Sequence, residues 1–362
     1  MKKNICFFNK DLEIGGVERQ LYYLVNGLNK TKYDIMLLLC KKEGAFSDKI
    51  SNSIGVQDLR ASYSHSNKII IAIKLFLFLL KNRPDIFVSF HVHLNIISII
   101  ACKLLSVKVF ICFPGYCPRS RLSRLRRYFY TRADKLISVS MGVKASVVNN
   151  LHIPDSRKNI VIENCVDIRE IRERSKEDIR SPFLDGDRFI IVSVGRLSAE
   201  KNFEVLIRAS RLLPPDCLIL FIGDGERREY LENLAAECGS GNRIKFLGFQ
   251  LNPYKFIKKA SVYVLSSNSE GLPTVVLEAM SLGVPCICSD YYGRTNDVIE
   301  HNVTGYIFPR DNHCELANAI KFFRDKKNRE KRKTIVENSK RHVVNYSIEK
   351  YAQRYERVFG GS

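Results

Sequence analysis

Apolar residues along the chain gather into short runs that alternate with stretches of helical spacing. In the first half, strand-like runs lie at residues 5–8, 35–40, 86–90, 107–112, 135–139 and 160–162, with helical patterns at 17–29, 69–81 and 95–105 between them. Residues 167–188 are almost entirely charged or polar and read as a connection between domains. The alternation then restarts with strands at 189–194, 218–222, 244–247, 262–265 and 285–288, and helices at 203–212, 230–238 and 274–282. Strand and helix in turn imply parallel sheets flanked by helices, here as two successive doubly wound α/β units. Such sheets take ligands beyond the carboxyl ends of their strands, which points to a cleft where the two domains face each other.

A length of 362 residues suits two domains, each with its own core. The longest apolar run, residues 69–80, contains Lys74 and is too short to cross a bilayer, so it reads as a buried helix. The eleven cysteines are scattered, with no C-x-x-C pair and no Cys/His cluster at zinc spacing. With no signal-peptide pattern at the start, they suit a reducing cytoplasm. Charge is more telling. Residues 1–165 hold 26 bases and 11 acids, against 32 and 27 in the remainder. A basic first half implies a polyanionic neighbour: nucleic acid, anionic lipid or a phosphorylated acceptor.

Three turns carry candidate chemistry. Glu270-Gly271-Leu272-Pro273-Thr274 leads from the strand at 262–265 into a helix that contains Glu278. Pro273 suits the first helical position, where its missing N–H costs nothing. The free amides that follow form an anion site, and the two carboxylates flanking it suit hydroxyl-rich ends. A nucleoside diphosphate sugar has that shape. Arg196 and Lys201 flank the turn after the strand at 189–194, placed to clamp a diphosphate. Gly15 and Gly16 follow the first strand, where backbone can approach a ligand closely.

In order and spacing these turns resemble the retaining glycosyltransferases of family 4, which have the GT-B architecture of two Rossmann-like domains facing a central cleft. The resemblance also takes in Gly223-Asp224-Gly225, Glu278-Ala279-Met280-Ser281-Leu282-Gly283-Val284-Pro285 and Gly305-Tyr306-Ile307-Phe308-Pro309. It implies an acceptor-binding domain at 1–167, a nucleotide-sugar-binding domain at 168–345, and a last helix at 346–362 crossing back to the first domain. It implies that Gly16, with Gly15, touches the donor phosphate, that Arg196 and Lys201 hold the diphosphate, and that Glu278 binds the ribose. Glu270 would lie near the sugar hydroxyls, with the amides of residues 271–274 closing over sugar and phosphate. His93 resembles a family histidine that contacts the transferred sugar. His91, two residues earlier, is as readily structural.

The same resemblance implies a nucleoside-diphosphate donor, UDP more often than GDP, and no cofactor or metal. The acceptor would be a saccharide or polyprenyl-diphosphate-linked sugar of bacterial O-antigen, capsule or lipopolysaccharide core. Asp185-Gly186-Asp187 imitates a metal-binding D-x-D, but its place before a strand reads as a turn. After Ser289-Asp290 the family's Gly-rich segment is replaced by Tyr292-Gly293-Arg294-Thr295-Asn296-Asp297, and no role is carried across.

Residues 118–135 interleave Arg121, Arg124, Arg126 and Arg127 with an apolar stripe of Leu122, Leu125 and Phe129. A basic amphipathic helix of this kind can lie on an anionic membrane or be a packed helix with a solvated face. Peripheral attachment to the inner face of the cytoplasmic membrane is the expectation. A nucleic-acid binder is the competing class for so basic a chain, but no helix-turn-helix, zinc finger, RRM or KH signature occurs. A GT-B epimerase acting on the donor alone is the third alternative.

Overall fold

The strands at Ile86–Ser89 and Val262–Leu265 are buried at every position, as parallel strands covered on both faces must be. The computed structural model describes residues 2–64, 66–119, 122–179 and 187–360. It divides into two compact units, Met1–Cys165 with Ile348–Ser362, and Val166–Ser347.

The first unit runs β1 (Lys3–Asn9), α1 (Gly16–Gly27), β2 (Tyr33–Leu39), β3 (Gly55–Asp58), α2 (Lys68–Asn82), β4 (Ile86–Ser89), α3 (Asn95–Leu104), β5 (Lys108–Phe113), α4 (Ser123–Tyr130), β6 (Lys135–Ser138), α5 (Met141–Asn150) and β7 (Asn159–Val161). The second runs α6 (Ile168–Arg174), β8 (Phe189–Val194), α7 (Phe203–Ser210), β9 (Cys217–Ile222), α8 (Arg228–Glu237), β10 (Ile244–Phe246), α9 (Tyr254–Lys259), β11 (Val262–Leu265), α10 (Thr274–Ser281), β12 (Cys286–Ser289), β13 (Tyr306–Phe308), α11 (His313–Arg324) and α12 (Arg329–Val343). The last helix, α13 (Ile348–Gly360), belongs to the first unit.

Both sheets are parallel and share one strand order, β3-β2-β1-β4-β5-β6-β7 and β10-β9-β8-β11-β12-β13. In each, the order reverses between the first strand and the fourth. The loops leaving β1 and β4 therefore diverge, as do those leaving β8 and β11, and each pair opens a crevice at the carboxyl edge.

Helix α13 is held to the first unit by packing. Tyr351, Tyr355 and Phe359 join Phe7, Val88 and Phe110 in one core with α1. The Phe359 ring stands 6.2 Å from Phe7, 5.9 Å from Tyr33 and 6.1 Å from Phe110. Arg354 also reaches Glu163 at 2.8 Å.

The structure departs from the sequence reading in three places. The run at 69–80 is not a buried helix: only Ile71, Leu75 and Leu79 of α2 face inward, and five of its isoleucines and leucines lie exposed. The polar connection is not structureless, since it opens with α6, capped by Asp167, whose carboxylate accepts from the Glu170 amide at 2.9 Å. Strands β3 and β13 were not expected, because both are short sheet edges. Asp185 and Gly186 of the D-x-D imitation lie outside the described residues.

Candidate functional site

In the second unit the two divergent loops at the switch point are stitched together. Asn202 takes a left-handed conformation, φ 49° and ψ 48°, which asparagine tolerates better than most residues. Its side-chain amide donates to Asn268 Oδ1 at 3.0 Å and Asp311 Oδ1 at 2.7 Å. The Asn268 amide donates to the Glu200 carbonyl, and Ser266 Oγ to the Lys201 carbonyl at 3.0 Å.

Across this seam Lys201 Nζ donates to Glu270 Oε1 at 2.6 Å, and Ser267 Oγ donates to the same oxygen at 2.6 Å. The Lys201 and Glu270 side chains are only 23% and 12% exposed, so the pair is largely withdrawn from water. The Glu270 amide donates to the Tyr292 carbonyl, fastening this turn to the loop after β12. Two glycines shape the floor. Gly223, at φ 138°, lies so close to the Gly195 carbonyl that a methyl there would overlap it, and Gly225 meets Leu197 in the same way.

Helix α10 begins beyond Glu270. Pro273 is its N-cap rather than its first helical residue, and it contributes no side-chain cap. Leu272 and Pro273 are buried, and Gly271 and Thr274 are half-buried. Positive dipole and backbone amides thus stand at the carboxyl edge of β11. Glu278 sits farther along α10, 2% exposed and close enough to Tyr263 to raise the pKa of that phenol, although burial is the larger cause. It does not lie on a solvated face. Arg196 is different: its side chain is 73% exposed and pairs with Glu226 at 3.2 Å, while Lys201 turns toward Glu270. The two expected clamp residues therefore have separate partners.

The crevice of the first unit has another chemistry. Gly15 is the N-cap of α1 and Gly16 its first residue. A methyl on Gly16 would meet open space, but one on Gly15 would overlap the carboxylate of Glu18, which folds back over the helix start. Glu18 is 8% exposed and accepts from Asn9 Nδ2 at 3.4 Å. This acidic group was given no role by sequence reasoning, although it stands only three residues after Gly15.

After β4, residues 92–94 form a 3-10 turn rather than extended chain, yet the His91 and His93 rings still lie 5.5 Å apart. Tyr63 closes the group, 4.8 Å from His91 and 6.3 Å from His93. Nothing in the sequence marks Tyr63, which precedes α2. Burial, then the nearby His93 and Lys10, pushes the His91 imidazole down to about 4. Asn9 Oδ1, Tyr63 Oη, Ser89 Oγ and His91 Nδ1 are buried with no hydrogen-bond partner among the described residues. Among those residues no group of three or more His, Cys, Asp or Glu is placed to hold a metal ion.

In the basic helix α4, Arg124 and Arg127 are exposed and Arg126 is half-buried; Arg121 lies outside the described residues. Of this helix only Tyr130 is fully buried.

Residues 14–170 match the family described as Glycosyltransferase Family 4, and residues 174–342 match Glycosyl transferases group 1. A Campylobacter jejuni protein named GalNAc-alpha-(1->4)-GalNAc-alpha-(1->3)-diNAcBac-PP-undecaprenol alpha-1,4-N-acetyl-D-galactosaminyltransferase is 28% identical, over 95% of this chain and 94% of its own. An Escherichia coli UDP-Gal:alpha-D-GlcNAc-diphosphoundecaprenol alpha-1,3-galactosyltransferase is 26% identical, over 85% of this chain and 84% of its own. For three relatives at 29–31% identity the chain spans only 41–61% of their length. Among solved structures, Anabaena Alr3699/HepE in complex with UDP superposes with a TM-score of 0.84 at 20% identity, over the whole of both chains. Paired Rossmann-like sheets, the ordered turns at their carboxyl edges and both family matches lead to one assignment: the chain belongs to the family 4 glycosyltransferases of GT-B fold.

Proposed function

We propose that the protein transfers a sugar from a nucleoside-diphosphate donor, UDP-linked, to a polyprenyl-diphosphate-linked or lipopolysaccharide-core acceptor at the inner face of the cytoplasmic membrane. The observation that carries the reading is the Lys201–Glu270 pair at the switch point, beneath the start of α10. The lysine supplies positive charge for the departing diphosphate and the carboxylate accepts from sugar hydroxyls, while the amides of residues 271–274 face phosphate and sugar. Glu278 takes the ribose, and of the two glycines Gly16, with open space beside it, is the one that can meet the donor's phosphate. Arg196, with its weak exposed partner, is available to swing onto the diphosphate. His93 meets the transferred sugar.

In this scheme the bond from the anomeric carbon to the diphosphate oxygen breaks, and its electron pair stays on the diphosphate. The acceptor hydroxyl oxygen bonds to the anomeric carbon on the same face and its proton passes to the leaving group, so configuration is retained. The protein's work is electrostatic stabilisation of the leaving charge, and no metal is required. The donor and acceptor classes are supported by the names of the relatives and by the UDP complex of the structural neighbour.

The test is a panel of nucleotide sugars read by thermal shift, because a ligand that binds only the folded form raises its melting point. One UDP-sugar should stabilise the protein and be consumed on adding a polyprenyl-diphosphate saccharide, with activity persisting in excess EDTA. Turnover of the donor to its epimer without acceptor, or activity abolished by EDTA and restored by manganese, would overturn the reading.

A further inference from the structure

Between Lys68 and Lys81 helix α2 is apolar at every position but Lys74, whose ammonium is tied to the Leu59 and Arg60 carbonyls at 2.9 Å. Ile71, Leu75 and Leu79 point inward, while Ile69, Ile70, Ile73, Leu77 and Leu80 are 45–73% exposed. A helix with no polar face is ordinarily enclosed on all sides, and this one is enclosed on one. Its neighbours continue the surface. Helix α3 packs along α2 and α4 along α3; α3 adds Ile100 and Leu104, and the α4 region adds Leu122, Leu125 and Tyr128, all exposed. Exposed apolar side chains thus recur on three helices packed in sequence, more than single scattered residues of an ordinary soluble surface.

The charge around these side chains selects what covers them. Residues 68–133 contain twelve lysines and arginines and a single acid, Asp85. Lys68, Lys81 and Arg83 mark the two ends of α2, and Arg124 and Arg127 the exposed side of α4, while Lys103, in the last turn of α3, is paired with Asp134 at 2.7 Å. A second copy of the chain would bring two such rims together, like charge against like. An anionic bilayer offers an apolar interior bordered by negative headgroups, which matches both features. Among the described residues no helix is long and apolar enough to cross a membrane. At about 1.5 Å per residue the fifteen residues of α2 fall short of a roughly 30 Å hydrocarbon core, so the helix lies in the interface rather than through it.

We propose that the α2–α3–α4 face is a bilayer-inserting surface: Ile69, Ile73, Leu77 and Leu104 enter the acyl region of an anionic leaflet, and the surrounding lysines and arginines pair with its phosphates. This deepens the proposed function, on which it rests for the presence of a lipid-linked acceptor, and it makes apolar insertion rather than arginine charge the main anchor.

Flotation of the full chain with phosphatidylglycerol-rich vesicles, at low salt and at roughly 1 M NaCl, where the screening length is about 3 Å, tests it. The unsubstituted protein should float in both. I73S/L77S keeps every charge and should lose about a hundredfold in partitioning, since each inserted side chain is worth about a factor of ten. R124E/R127E should lose binding at low salt by roughly fivefold or more per arginine, yet keep the salt-resistant part. Both variants should melt as the parent does, because the changed side chains are surface groups, and UDP-sugar stabilisation should be unaltered, because its residues lie elsewhere. Flotation of I73S/L77S equal to the parent at high salt would overturn the proposal. So would a lipid-free dimer of the parent that the same variant abolishes. Flotation as expected with no nucleotide sugar raising the melting point would leave the surface standing and remove the proposed activity.

Discussion

Lys201→Met breaks the pair on which the proposed donor site is built, and its cost can be worked from the surroundings. Glu270 is 12% exposed and would lose Lys201 while keeping the hydrogen bond from the Ser267 hydroxyl. A wholly buried pair that loses one partner costs about 3–5 kcal/mol, whereas exposed pairs are worth about 0–1 kcal/mol. At this burial the expectation lies between, about 2 kcal/mol for Lys201→Met. Glu270→Gln should cost less, because the amide can still accept from Ser267 and the lysine can bend toward water. The double variant should recover part of the sum, giving a coupling of about 1–2 kcal/mol. Urea unfolding of the four proteins at neutral pH measures it. The functional split is sharper. Lys201→Met should lower kcat by about a hundredfold or more, the usual loss when a donor to developing charge is removed, and weaken UDP binding. Glu270→Gln should keep UDP affinity and lose turnover, because its carboxylate meets the sugar rather than the diphosphate. A coupling below about 0.5 kcal/mol, or Lys201→Met with unchanged kcat, would refute this account.

Gly223→Ala places a methyl against the Gly195 carbonyl at a backbone angle alanine resists; it should cost over about 2 kcal/mol and weaken UDP binding by displacing the 195–201 turn, both readable in one thermal-shift titration. Glu278→Gln, at a buried position in α10, should weaken UDP binding by about tenfold in calorimetry and leave the binding of inorganic pyrophosphate unchanged, if the residue holds the ribose. His91 sits at about 4 in the folded chain, below the ordinary imidazole value of 6.5, so the unfolded chain takes up its proton first as the pH falls. Its contribution is then a loss of stability between about pH 6.5 and 4, absent above that window. His91→Gln should therefore flatten the decline of the urea midpoint from pH 7 to pH 5 and leave the midpoint at pH 8 little changed.

What could be read from the sequence divides along physical lines. Central strands such as β8 and β11 announce themselves because covering both faces makes nearly every position apolar. Strand β3, Gly-Val-Gln-Asp, is a largely exposed edge and carries no such run. An amphipathic helix declares which face is inward, but between its ends α2 is apolar at every position but Lys74, so its residues could not say which side would be left uncovered. The site followed the same logic. Lys201 and Glu270 were each legible as a charged residue in a turn after a strand. Their partnership was not, because it joins residues 69 apart and depends on β8 and β11 being neighbours. Ser267 was visible only as part of a serine-rich loop, and Tyr63 carried no signal, since its place beside His91 comes from the path of the chain ahead of α2.

One strand order used twice places two crevices in equivalent positions, and their linings differ in a way that argues for a division of labour. The crevice of the second unit has a lysine, two glycine-shaped turns and a helix start without a side-chain cap, a combination that favours an anion. In the first unit the start of α1, the helix that follows β1, is already met by Glu18, which would repel a phosphate arriving there unless the ligand approached past Gly16, where space is open. What that crevice holds instead is a neutral imidazole, a phenol, a serine and an asparagine with buried polar atoms lacking partners among the described residues. Leaving such atoms unpaired costs about 1–3 kcal/mol each, and hydroxyls of a saccharide would satisfy them without bringing charge against Glu18. The second unit's crevice thus suits an anion, and the first unit's suits hydroxyls. Ser89→Ala and Tyr63→Phe, which remove these groups without changing shape, should accordingly raise the KM of the saccharide this crevice holds and leave UDP affinity alone.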